Sequence, residues 1–123
     1  MQTIGRVVHT YPVNAFNPEG VEHMFTTVTD AARELENWVY YSHPQPEAAM
    51  TPDGVKLLTE WCRRLPDYGC IGIALLSRNR LAEFLQRNVA PEVAIPIFAS
   101  DDEKELDRFV ESLINDSPAA REA

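Results

Sequence analysis

Cys70-Ile71-Gly72-Ile73-Ala74-Leu75-Leu76 is an almost uninterrupted apolar run, and it decides the fold. A strand with one wet face alternates apolar and polar residues. A run with no polar positions fits a strand covered on both faces, as in a parallel sheet flanked by helices. Gly72 and Ala74, the two small residues in the run, leave space for a helix to lie close on one side.

Helical patterns stand on either side of this run. Upstream, Thr51-Pro52 gives a cap followed by proline at the first helical position. Val55, Leu58, Trp61, Cys62 and Leu65 then recur at helical spacing, and Pro66 and Gly69 close the segment. Downstream, Ser77 to Asn79 is a polar turn, and Leu81, Phe84, Leu85 and Val89 mark a third, shorter helix. Val93 to Phe98 reads as a fourth strand, with Pro96 suiting an edge. Ser100 with Glu103 forms a capping box for a last helix, whose inward residues are Leu106, Phe109, Val110, Leu113 and Ile114.

The N-terminal half repeats the alternation. Ile4 to Val13 is β-branched and reads as a first strand or a small hairpin. Asn17-Pro18 opens a helix with the stripe Val21, Met24, Phe25, Val28, Ala31, Ala32 and Leu35. Trp38-Val39-Tyr40-Tyr41 is a second strand, and His43 to Met50 is a proline-bearing loop. The expectation is an α/β fold: a four-stranded, mostly parallel sheet in (βα)4 order with right-handed crossovers. An extra N-terminal hairpin strand is the open variant. Residues 1–116 form one domain and 117–123 a flexible tail.

Length and composition agree. The 123 residues suit one domain, and 45% hydrophobic with 24% charged residues is ordinary for a folded chain. A net charge of −8 opposes nucleic acid and anionic membranes. No stretch approaches the roughly 20 apolar residues of a membrane span. Met1 to Asn17 lacks a basic start with an apolar core, so the chain reads as cytoplasmic. Cys62 and Cys70 read as two buried thiols rather than a disulfide.

The order of elements, with Trp38 to Tyr41, Thr51-Pro52-Asp53-Gly54-Val55, Cys70 to Leu76 and Pro96-Ile97-Phe98-Ala99-Ser100-Asp101-Asp102-Glu103, resembles the SpoIIAA-like, or STAS, domains. That family includes anti-sigma-factor antagonists and is structurally akin to CRAL-TRIO lipid-binding domains. The resemblance implies a regulatory domain that presents its second helix and the preceding loop to a protein partner. Phosphorylatable members carry an Asp-Ser-Ser-Gly turn before that helix. Laid on Thr51-Pro52-Asp53-Gly54, the turn keeps its glycine but has Asp53 where the switching serine would stand, so a serine switch is not expected.

Parallel α/β sheets bind ligands beyond the carboxyl ends of their strands, where the strand order reverses. If the order were second–first–third–fourth, the crevice would lie between the first and third strands. Asn14, Asn17, Ser77, Arg78 and Asn79 would reach it, with His43, Thr51 and Asp53 on the same edge. The competing reading makes these residues caps and turn formers. Thr51 in particular reads as an N-cap.

The catalytic inventory is thin. His9 sits in a strand, His23 in a helix and His43 in a loop, none with a carboxylate or cysteine at dyad or metal spacing. Gly-rich phosphate loops, GxSxG elbows and HExxH are missing from the sequence. Asp101, Asp102, Glu103 and Glu105 complement a helix dipole. Arg78, Arg80 and Arg87 make the third helix locally basic, a solvated face or else a surface for an acidic partner or anionic ligand, and Trp38, Tyr40 and Tyr41 read as packing residues, with a stacking platform as the alternative. The leading expectation is a non-enzymatic regulatory or protein-interaction domain, with no cofactor and no metal. A small-molecule or lipid carrier is the alternative, and an enzyme using His43 with Asp53 or Thr51 comes third. A homodimer is also expected, since edge strands need protection.

Overall fold

The computed structural model describes residues 1–12, 15–45, 49–76 and 80–116. The N-terminal segment is a hairpin of β1 (Gln2–Ile4) and β2 (Val7–Thr10), paired antiparallel. Gly5 at φ +58° takes the first central position of the two-residue turn, where a side chain would be strained. The sequence left strand or hairpin open, and the turn at Gly5 settles it.

Three further strands run parallel to β2: β4 (Trp38–Ser42), β6 (Cys70–Leu76) and β7 (Ile97–Ser100). The sheet is five-stranded and mixed, in the order β1-β2-β4-β6-β7. Between its strands lie α1 (Pro18–Ala31), α2 (Pro52–Arg64) and α3 (Arg80–Asn88), and α4 (Glu103–Asn115) follows the last. A separate two-residue parallel pair joins β3 (Ala15–Phe16) to β5 (Ala49–Met50).

The fifth strand is the hairpin strand that the sequence left open. One expectation is corrected: the strand order is sequential rather than second–first–third–fourth. The reason lies in β4: all five of its residues are buried, so the strand needs a neighbour on each side and a helix layer over each face. It therefore sits between β2 and β6, and the reversal that would open a crevice between the first and third strands does not occur.

A sequential order with right-handed crossovers puts the three connecting helices on one face. The packing follows this. Val21, Phe25 and Val28 of α1, Leu58, Trp61 and Cys62 of α2 and Leu85 of α3 share a core with Val8, Trp38, Tyr40, Ile73 and Leu75. On the other face, Leu106 and Val110 of α4 pack with Val39, Tyr41 and Ala74. The register shift between Trp38 and Val39 leaves Ile71 as an extra residue. Ile71 and Ile73, two apart, consequently join opposite cores. Gly72 is the close-approach point, because a Cβ there would run into Leu113 of α4.

Two boundaries also shift. The fourth strand starts at Ile97 rather than Val93. Ala90–Glu92 forms a 3-10 turn, and Pro96, with no N–H to offer, precedes the strand while its carbonyl accepts from Ile73 N (3.0 Å). The cap of α4 is Asp102, accepting from Lys104 N, and not a Ser100–Glu103 box. Ser100 Oγ instead accepts from Asp102 N and donates to Glu105. Pro66 and Gly69 close α2 as read, through a 3-10 turn over Leu65–Tyr68 and a left-handed Gly69 (φ +92°). None of the described helices is long and apolar enough to cross a membrane.

Candidate functional site

The parallel register of β2 and β4 sets His9 beside Tyr41 and Thr10 beside Ser42. Side chains alternate along a strand, so Thr10 points to the α1–α2 core, where its hydroxyl meets the Tyr40 hydroxyl at 3.0 Å. His9 and Tyr41 point to the α4 side. Tyr11 and His43, two residues further along each strand line, join them there. The sequence carries this as His9-Thr10-Tyr11 and Tyr41-Ser42-His43, two period-2 pairs on adjacent strands.

The rings form a column. His43 lies between Tyr41, at 4.1 Å between centroids and 10° between planes, and Tyr11, at 4.8 Å and 15°. His9 lies beside this column, with its ring 5.1 Å from Tyr41 and 5.2 Å from His43. His9 Nδ1 and His43 Nε2 share a hydrogen bond of 3.0 Å, one ring donating and the other accepting according to tautomer. Tyr41 is buried and donates from its hydroxyl to Asp107 Oδ1 of α4 (3.1 Å). Tyr11 closes the column on the solvent side and is 45% exposed.

Burial pushes the His43 imidazole down to about 4, helped by His9 and opposed by the Asp107 charge. His9 is also held below its usual value by burial, with Asp107 again opposing. The Tyr41 phenol is raised, first by burial and then by its hydrogen bond to Asp107 and the Asp107 and Glu103 charges. The cluster is thus a set of neutral donors and acceptors at neutral pH. Cys62 and Cys70 are free and buried, and desolvation raises both to about 12. No group of three or more His, Cys, Asp or Glu among the described residues is placed to hold a metal ion.

The residues singled out from sequence divide into three sets. His43 joins the ring column and is not a solitary loop histidine; its partner His9 lies two registers back on the neighbouring strand. Asn17 and Thr51 are helix N-caps, accepting from Gly20 N (2.9 Å) and Gly54 N (3.1 Å), and Asp53 is exposed in the first turn of α2. Asn14, Ser77, Arg78 and Asn79 lie outside the described residues, as does the 117–123 tail. The backbone brings the first two sets to one edge. His43 N donates to Thr10 O and Gln45 N to Pro12 O, and the β3–β5 pair continues side by side to Asn17 and Thr51. Sequence reasoning missed His9, Tyr11 and Asp107 as parts of a site, and raised Tyr41 only as one ring of a stacking platform with Trp38 and Tyr40. The paired i, i+2 aromatic and imidazole pattern was the available signal for His9, Tyr11 and Tyr41; Asp107 had none.

No family model, curated protein or solved structure matches this chain.

Proposed function

We propose that this chain is a non-catalytic regulatory or protein-interaction domain of the STAS-like kind. It would engage a partner protein at the carboxyl edge of its parallel strands. The observation that carries the reading is the ring column Tyr41–His43–Tyr11, with His9 beside it, at that edge. Its groups are neutral at neutral pH and hydrogen-bonded to one another or to Asp107, and it ends on a half-exposed tyrosine. Tyrosine and imidazole edges of this kind suit recognition, since they offer apolar area and directed hydrogen bonds with little side-chain freedom to lose. The N-terminus of α2, with exposed Asp53, stands on the same edge and extends the contact surface. Asp53 supplies a fixed negative charge where the phosphorylated members of the resembled family carry a serine.

A carrier would need a cavity between helix faces. Phe25 of α1 and Trp61 of α2 instead stack at 5.5 Å and 7° between planes, which favours the interaction reading.

The test is photo-cross-linking in the native host, with a photoreactive residue replacing Tyr11 or Asp53 and a control at the exposed Arg87 of α3. One protein adduct common to positions 11 and 53, and weak at 87, supports the reading. Turnover of a substrate by the purified protein, abolished by His43→Ala, refutes it.

A further inference from the structure

The two edges of the sheet are treated differently. On the β7 side, the Gln86 side chain of α3 bonds the strand as a neighbouring strand would. Its Nε2 donates to Ile97 O (2.9 Å), and its Oε1 accepts from Ala99 N (2.9 Å). With Pro96 just before the strand, that edge is blocked against further pairing.

Among the described residues, nothing covers the β1 edge in this way. In a hairpin with a two-residue turn, the flanking residues Ile4 and Val7 form the hydrogen-bonded pair, and the pairs then alternate. Gln2 therefore bonds to His9, and Thr3 turns its N–H and C=O outward. Neither group has a partner among the described residues, and all three residues of β1 are exposed. Met1 and Ile4 are 57% and 54% exposed, so apolar area lies beside the free backbone groups. No side chain from Met1 to Gly5 is charged, on a chain of net charge −8. Arg6 is turned away, with its guanidinium on the carbonyls of Asn37 and Ile114. This is the segment on which two copies of an acidic protein meet with least repulsion.

We propose that β1 is a homodimer interface, formed by antiparallel pairing with β1 of a second copy about a two-fold axis at Thr3. The two Thr3 residues then exchange both backbone hydrogen bonds, Gln2 faces Ile4 of the other copy, and the sheets join into one. An antiparallel edge is complementary to itself, as an isologous contact requires. Both copies keep α4 on the same side of the joined sheet, leaving a trough floored by Ile4, Val7 and His9 from each. Three residues per copy bury less than the roughly 1,200 Å² of a stable complex, so the dimer is reversible and depends on concentration.

Sedimentation velocity from micromolar to millimolar protein tests this, with Thr3→Pro and Ile4→Lys as variants. Proline removes the outward N–H of Thr3 without touching the β2 ladder, and lysine charges the edge while staying exposed. Circular dichroism confirms that each variant is folded. The expected result is a wild-type mass rising from 13.9 kDa toward twice that value, with both variants monomeric throughout. A wild type that stays monomeric at millimolar concentration overturns the proposal. So does a dimer that persists in either folded variant.

Discussion

The imidazole pair makes acid stability a quantitative test of the ring column. His43 titrates at 6.5 in an unfolded chain and at about 4 in the fold. Between those limits the unfolded state binds more protons than the native state, so stability falls as the pH falls. The loss begins as the pH drops through 6.5 and is complete near 4; above 6.5 the contribution is fully present. Each pH unit in that window is worth about 1.36 kcal/mol, and without screening the total is about 3 kcal/mol. His43 is only partly buried, so solvent screening reduces this to roughly 1–2 kcal/mol. The depressed His9 acts in the same direction. The mechanism is specific: one proton can sit between Nδ1 of His9 and Nε2 of His43, and a second makes both nitrogens donors and breaks the bond. The assay is urea unfolding of wild type and His43→Gln at about pH 7 and about pH 4.5. Carboxylates titrate in both proteins and cancel in the difference. Wild type is expected to lose roughly 1–2 kcal/mol more than the variant on acidification. An equal loss in both proteins refutes the pairing of the two rings.

Three further outcomes follow from the packing. Gly72→Ala drives a Cβ into the Leu113 side chain and is expected to cost about 1–3 kcal/mol in denaturant unfolding, whereas a neutral result would mean that Leu113 turns aside. Gln86→Ala removes both bonds to β7 and is expected to cost about 1–2 kcal/mol, with aggregation on heating followed by light scattering as the exposed edge finds partners. Cys62 and Cys70 are expected to react with a thiol reagent only as fast as the protein unfolds at pH 8, and a fast native phase would contradict their burial.

Local chemistry carried much of the fold into the sequence. Asn17-Pro18 and Thr51-Pro52 mark helix starts because a side-chain oxygen and a proline each suit one fixed position there, and both caps are present. The run from Cys70 to Leu76 announced a strand buried on both faces, and Gly72 and Ala74 foretold the side on which a helix lies close. These signals are read within a few residues, so they need no knowledge of neighbours. The order of the strands is a different kind of fact. It depended on β4 being the strand with no exposed face, which a four-residue aromatic run beside a loop did not declare. The site was hidden for the same reason. His9 and His43 are 34 positions apart and became partners only when β2 and β4 paired in register. Asp107 reached Tyr41 only because α4 crossed to the face the other helices left open. The sequence by itself determined the alternation of strands and helices and the starts of α1 and α2, where a cap and a proline stand together. Tertiary structure alone decided which strand lies beside which, and hence which distant side chains share a face, because pairing is fixed by burial summed over the whole sheet.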